Sequence, residues 1–359
     1  FNEDGSVAIV FNGEIYNHKA VKSELETLGH TFASHSDTET IVHAWEEWGV
    51  DCLVHLNGMF AFAIWDNNQK VLFVARDRAG EKPIYYSHLD DGSVIFGSEL
   101  KVLKQHPLLD KTLNERSIED FLTFGYIPEP KSIYQSVHKL KAGHYFLLTQ
   151  DESTKVVPIE YWDLPWQAIE QSTDETLPEA VYQKLKSAVD LRMESEVPLG
   201  AFLSGGVDSS AVVAMMSQLQ DNPVTTCAIG FDIPEFNESE FAQMVADHCK
   251  TDHHLDVVSV DDFELIDKLS SIYDEPFADN SALPTYMVCK SARKHVTVAL
   301  SGDAGDELFV GYRRYRMHLN EHRVREKVPA FIRNSVIKPL AKIYPKLDWA
   351  PRFLRAKTT

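Results

Sequence analysis

The apolar run Pro198-Leu199-Gly200-Ala201-Phe202-Leu203 passes directly into Ser204-Gly205-Gly206-Val207-Asp208-Ser209-Ser210, and a helical pattern begins at Asp208. A strand, a glycine turn and a helix in that order belong at the carboxyl edge of a parallel sheet. Paired glycines let the backbone turn tightly with its N–H groups aimed into one concavity, the serines add hydroxyl donors, and the helix start brings partial positive charge. The junction therefore suits a phosphate or pyrophosphate. A carboxylate does not bind an anion, so Asp208 makes sense there as a Mg2+ ligand. The plainer alternative is a glycine turn with an Asp/Ser helix cap. Neither the G-x-x-x-x-G-K-S/T nor the G-x-G-x-x-G spacing is present, which disfavours a kinase or motor-type nucleotide loop.

The surrounding rhythm agrees. Helical patterns at 177–193 and 238–248 alternate with strand-like runs at 198–203, 225–231, 255–258 and 296–300, which predicts βαβ units on a parallel sheet. A second turn, Ser301-Gly302-Asp303-Ala304-Gly305-Asp306-Glu307, follows the last of these runs. Two acidic glycine turns at strand carboxyl ends would converge at one ligand-binding edge, with Asp208 and Asp306 sharing a magnesium ion. Residues 1–150 read differently. Short apolar runs at 7–11, 58–65, 71–75, 94–96 and 145–148, with helical patterns at 19–28 and 38–48, predict an α+β domain rich in antiparallel sheet. Residues 151–175, polar and without periodicity, read as a linker, and 176–359 as a second domain.

Composition excludes several classes. In 359 residues, 35 Lys+Arg stand against 54 Asp+Glu, a net charge of −19, so a general nucleic-acid binder is excluded. The apolar runs are far shorter than the roughly 20 residues needed to span a bilayer. Four dispersed cysteines, Cys52, Cys227, Cys249 and Cys289, suggest neither a zinc site nor a disulfide framework and fit a reducing, cytoplasmic setting. Residues 313–359 are basic, with 13 Lys+Arg and 3 Asp+Glu. They read as a helical part of the second domain, its basic face solvated or turned toward anionic substrates, the alternative being a membrane-surface or partner-binding helix. The chain begins at Phe1 and soon enters a strand-like run, which predicts a start inside a domain.

The turn at Ser204 resembles the pyrophosphate loop of the ATP pyrophosphatase superfamily. With the turn at Ser301, it resembles the glutamine-dependent asparagine synthetase family. Asn12-Gly13-Glu14-Ile15-Tyr16-Asn17, Ser36-Asp37-Thr38-Glu39, Gly58-Met59-Phe60-Ala61-Phe62, Arg76-Asp77-Arg78, Lys82-Pro83-Ile84-Tyr85-Tyr86 and Phe96-Gly97-Ser98-Glu99-Leu100-Lys101 are similar, in order and spacing, to that family's glutaminase domain. Tyr126-Ile127-Pro128-Glu129-Pro130 and Asp274-Glu275-Pro276-Phe277 resemble bacterial members, including exosortase-associated amidotransferases.

The resemblance implies an N-terminal nucleophile (Ntn) type αββα glutaminase domain, then an α/β parallel-sheet ATP pyrophosphatase domain. It implies ATP and Mg2+ as cofactors, and glutamine with aspartate or another carboxylate as substrates. Asn12 and Gly13 would form the oxyanion hole, and Glu14 and Asp37 would hold glutamine's α-amino group. Without the resemblance, Asn12-Gly13 reads as a hairpin turn and Asp37 as a helix N-cap. Ser204, Gly205, Gly206, Asp208, Ser209 and Ser210 would wrap the pyrophosphate, and Phe202, Leu203 and Ile229 would line the adenosine pocket. Ser301 and Gly302 would touch the nucleotide, and Asp306 the metal. Asp303 stands where many members have glutamate and is a candidate catalytic carboxylate. Asp274, Glu275 and Asp279 sit in a proline-bounded loop and read as exposed loop acids, the alternative being that they line the same cleft.

The family's nucleophilic cysteine and its carboxylate-binding arginine would precede Phe1, and its catalytic lysine would follow Thr359. The chain is therefore expected to be truncated at both ends. Cys52 lies outside the motif. The implied activity is ATP-dependent, glutamine-hydrolysing asparagine synthesis. Amidation of another carboxylate, or a silent nucleotide-binding subunit, are the rivals, and a homodimer is open as an assembly.

Overall fold

The computed structural model describes residues 1–149, 155–165, 176–231, 239–258 and 264–339. The helix pattern at 38–48 predicts one apolar face, and the helix Asp37–Trp48 buries Ile41, Val42, Ala44 and Trp45. That face packs on a five-stranded antiparallel sheet formed by β1 (Val7–Ile15), β2 (Gly58–Asp66), β3 (Val71–Arg76), β7 (His144–Thr149) and β8 (Ile159–Glu160), in that order. β2 is buried on both faces, so its apolar run is continuous. Its two faces differ in bulk. Phe60, Phe62 and Ile64 join the cluster under the helices, whereas Ala61 and Ala63 join a second cluster with Ile84, Tyr86, Leu140 and Phe146.

The small alanines leave room for a second antiparallel sheet, in the order β5 (Val94–Gly97), β4 (Tyr85–His88) and β6 (Val137–Lys139). A further cluster, with Leu100, Leu103 and Val137, covers its far side with the helix Leu100–Leu103. The layers are thus helix, sheet, sheet, helix. Trp45 stacks on Phe73 at 4.7 Å, and its Nε1 donates to Asp66 Oδ2 at 3.1 Å, so the buried indole keeps a polar partner. Residues 155–165, within the stretch read as a linker, pack on this half: Val156 is buried and its N–H donates to His88 Nε2 at 2.9 Å. The rest of that stretch, 150–154 and 166–175, lies outside the described residues.

The second half holds a four-stranded parallel sheet in the order β11 (Asp252–Val258), β10 (Thr225–Phe231), β9 (Leu199–Phe202) and β12 (Val298–Leu300). Helices Leu177–Arg192, Val207–Leu219 and Ser239–Cys249 contribute Val189, Val213, Met216, Ala242 and Ala246 to one face, with Ala201 and Ala228. Helix Ala282–Ala292 covers the other through Ala292, against Cys227 and Val296. Such two-sided cover is that of a doubly wound sheet. The chain steps from β9 to β10 on one side and later returns to β12 on the other, so the switch point lies between β9 and β12.

The contacts divide the chain into Phe1–Ser301 and Gly302–Thr359. In the second unit, helix Gly305–Phe309 starts from Ala304 in the left-handed region at φ 71°, and helix Arg313–Lys327 buries no residue. Among the described residues no helix is long and apolar enough to cross a membrane.

Candidate active site

Asn12, Gly13 and Glu14 lie inside β1, and the hairpin-turn alternative is corrected: β1 runs on to Ile15, paired residue by residue with β2. Gly13 stands where β2 passes so close that an added Cβ would run into the Met59 carbonyl oxygen. Asn12 is exposed, and its Nδ2 donates to Ser98 Oγ at 3.1 Å. Ser98 belongs to a quoted motif, but only the fold shows that it orients Asn12.

The N-cap reading of Asp37 is corrected as well. Ser36 is the cap, its Oγ accepting from Thr38 N at 3.1 Å, and Asp37 opens the helix. Its carboxylate instead reaches across to β1, where Oδ2 accepts from Ile15 N at 3.0 Å. Burial raises the Glu14 carboxyl above its usual range, and the charges of Asp37, Glu194 and Glu196 add to the shift. Glu194 is itself paired with Lys19, so the acidic character of this corner rests on Glu14, Asp37 and Glu196. Arg192 stacks over the Tyr16 ring, 4.3 Å from its centroid, at the edge of the same corner.

Cys52 heads the short helix Cys52–His55 and is fully buried. Burial pushes its thiol pKa far up, so near neutral pH it stays protonated and poorly nucleophilic. None of the four cysteines is in a disulfide, and Cys289 is exposed. Iodoacetamide at pH 8 should label Cys289 in the native chain and Cys52 only after denaturation, as read by peptide mass mapping. Native labelling of both at similar rates would contradict the burial.

In the second half, Gly205 sits at φ +79° against the start of helix Ser239–Cys249. Ser204 Oγ and Ser209 Oγ are 3.0 Å apart, and Gly206 N donates to Ser204 Oγ at 3.3 Å, so the turn is braced by its own hydroxyls. Ser210 Oγ is buried without a hydrogen-bond partner. Asp208 lies in the first turn of helix Val207–Leu219, half-buried. Beside the turn opens a cavity of about 240 Å3, lined by Phe202, Leu203, Ser204 and Ile229 together with Cys227, Ala228, Ser239, Ala242, Pro284, Thr285 and Val288. None of the last seven was read as a site residue in the sequence, Cys227 being noted only as a dispersed cysteine. Pro284, Thr285 and Val288 come from helix Ala282–Ala292, whose apolar residues form no clear stripe.

Ser301 follows β12 at the switch point. Gly302, Asp303 and Asp306 belong to the second unit. There Asp306 opens the first turn of helix Gly305–Phe309, and its carbonyl accepts from Gly311 N at 2.9 Å. Glu307 Oε1 accepts from the Tyr312 hydroxyl at 2.8 Å.

The reading of Asp274 and Glu275 as exposed loop acids is overturned. Asp274 pairs with Lys101 at 3.4 Å. Glu275 Oε1 accepts from Ile133 N at 2.7 Å while Oε2 pairs with Lys139 Nζ. Asp279 is exposed and caps the following turn through Ser281 N at 2.8 Å.

Residues 1–162 match the glutamine amidotransferase domain, and residues 180–359, half of the chain, match asparagine synthase. The chain belongs to the asparagine synthase family. Asparagine synthetase (glutamine-hydrolyzing) 1 of Bacillus subtilis is 34% identical over 345 residues, covering 96% of this chain and 53% of that protein. A Methanocaldococcus jannaschii relative, provisionally named a glutamine-hydrolyzing asparagine synthetase, is 42% identical over 336 residues, covering 91% of this chain and 63% of that protein. The chain thus spans between half and two thirds of these asparagine synthase relatives. As expected for the family, a glutaminase-type αββα half precedes a pyrophosphatase-type parallel sheet.

Proposed function

We propose that the whole protein is a glutamine-dependent amide synthetase that activates a carboxylate with Mg·ATP and amidates it with ammonia from glutamine, aspartate being the first acceptor to test. The observation that carries this reading is the glycine turn after β9, which opens beside an apolar cavity at the carboxyl edge of the sheet with Asp208 in the next helical turn. Phe202, Leu203 and Ile229 offer the apolar walls an adenine needs. The first N–H groups of helix Val207–Leu219, with the hydroxyls of Ser204, Ser209 and Ser210, offer donors to the pyrophosphate. Ser301 and Gly302 are proposed as further nucleotide contacts.

A carboxylate beside phosphates repels them unless a cation stands between. Among the described residues Asp208 forms no ion pair, so the donor set fits Mg2+. Asp208 is the proposed ligand, and Asp306, in the second unit, is the further candidate that the family motif names. Bound there, the ion would offset the charge that develops as pyrophosphate leaves.

In the proposed reaction a substrate carboxylate oxygen attacks the α-phosphorus as the bond to the bridging oxygen breaks. Ammonia then attacks the acyl carbon, AMP departs with the bonding pair, and a proton is lost to give the amide. In the glutaminase half, the Asn12 side chain and the Gly13 N–H would hold the oxyanion while Glu14 and Asp37 bind glutamine's ammonium group. A cytoplasmic setting is part of this reading.

Calorimetry of the chain with ATP and MgCl2 should give magnesium-dependent binding, which Asp208→Ala weakens by about tenfold or more. Unchanged affinity in that variant overturns the site. Asp303, one methylene shorter than the family's usual glutamate, favours a second reading in which the acceptor is another carboxylate. A pyrophosphate-release screen over carboxylate acceptors decides between the two.

A further inference from the structure

His30 and His43 lie outside both sites. His43 is on the buried face of helix Asp37–Trp48, 1% exposed, and His30 follows the turn that ends helix His18–Thr27. Their Nδ1 atoms face each other at 3.1 Å, and Glu46 Oε2 lies 3.1 Å from His43 Nδ1. One ligand atom from each of the three residues lies within 4.8 Å of the other two.

The far ring nitrogens face carboxylates. His30 Nε2 is 3.1 Å from Glu47 Oε2. His43 Nε2 is buried without a hydrogen bond, 3.8 Å from Glu39 Oε1 and 3.9 Å from Glu3 Oε1. Glu47 favours the proton on His30 Nε2, which leaves His30 Nδ1 as an acceptor, and His43 Nδ1 faces both that lone pair and the anionic Glu46 Oε2. Two acceptors thus converge on His43 Nδ1, a place that a proton fills or, with that nitrogen bare, a cation held by all three atoms. Tetrahedral coordination with Zn–N bonds of about 2.0–2.1 Å places two nitrogens about 3.3 Å apart, within a few tenths of the observed separation. Two outer contacts also match a metal site, where a ligating histidine gives its other N–H to a carboxylate, as His30 Nε2 faces Glu47, and a ligating carboxylate is itself hydrogen-bonded. Here Asn2 Nδ2 donates to Glu46 Oε1 at 2.7 Å.

We propose that His30 Nδ1, His43 Nδ1 and Glu46 Oε2 bind a divalent cation of the Zn2+ class, with a water completing the shell. The cation would tie the N-terminal segment and the turn at His30 to the helix whose first residue is Asp37.

The test uses chain stripped with EDTA and reloaded with Zn2+ or Co2+. Wild type should retain one more equivalent after gel filtration than His30→Ala or Glu46→Gln, with a tetrahedral Co2+ visible spectrum and a Zn2+-induced rise in Tm that both variants lose. Glu47→Gln should keep the stoichiometry while weakening affinity about 10–100-fold. Equal stoichiometry in wild type and both variants, or no metal retained at micromolar Zn2+, overturns the proposal and leaves the two rings sharing a proton.

Discussion

Gly205→Ala should weaken Mg·ATP binding by more than about 100-fold and cost about 2–4 kcal/mol of stability, whereas Gly206→Ala, one residue on, should cost less than about 1 kcal/mol. Gly205 has φ +79°, and a Cβ there would stand 2.5 Å from Phe241 Cβ and 2.6 Å from Ala242 N. Two of the three nearest atoms are backbone at the start of helix Ser239–Cys249, so relief means moving that helix or the turn. Either shift displaces the proposed phosphate donors. Gly206 has φ −67°, and its added Cβ would meet only Ser204 Oγ, at 3.3 Å. Thermal melts and ATP calorimetry on the two variants give the comparison. Equal tolerance at both positions would refute the account of the turn.

Asp77→Ala should lose about 3–5 kcal/mol, a large share of the 5–15 kcal/mol that holds an ordinary domain. Asp77 is fully buried and accepts from four backbone N–H groups: Phe60 at 3.1 Å, Ala79 at 3.1 Å, Glu81 at 2.9 Å and Lys82 at 3.0 Å. Its neighbour Arg76 donates to the carbonyls of Gly80 at 2.6 Å and Lys82 at 2.7 Å, so one acid and one base satisfy the polar backbone of a buried turn. Truncation strands the donors where water is scarce. Asp91→Ala is the control, because Asp91 is exposed and accepts only from Ser93 in its own turn. Urea unfolding should separate the two variants. A loss below about 1 kcal/mol for Asp77→Ala would mean that the turn relaxes or admits water.

The parts of the fold that were legible in the sequence are those where local pattern and tertiary environment agree. Thr225–Phe231 forms a strand over the run that predicts it, and the helix at 38–48 gains only Asp37. Helices Glu115–Phe124 and Ala282–Ala292 are absent from the sequence reading. The first carries an apolar stripe at helical spacing, Ile118, Phe121 and Leu122, a signal the reading missed, yet it buries only Ser117 and leaves Leu122 and Phe124 exposed. The second carries Pro284 in its first turn and apolar residues around most of its circumference.

At the candidate site, motif order placed Ser204 to Ser210, but partners distant in sequence stayed hidden. Ser36, Asp37 and Thr38 can all cap a helix, and what assigns the task to Ser36 is the pull of Ile15 N on Asp37, 22 residues away. Asp274 and Glu275 looked solvated because their lysines, Lys101 and Lys139, lie well over a hundred residues back along the chain.

Glu275 fastens a loop of the synthetase half to the smaller sheet of the glutaminase half, through Ile133 N, Lys139 Nζ and the Tyr85 hydroxyl at 3.4 Å. One side chain thus acts as a rivet between elements whose covalent connection runs elsewhere. Alignment of the halves then draws on this joint, together with the Lys101–Asp274 and Lys19–Glu194 pairs, and not on the covalent connection alone. An acid that reaches too short or too long there would loosen the fit between the halves while leaving each half's own core intact.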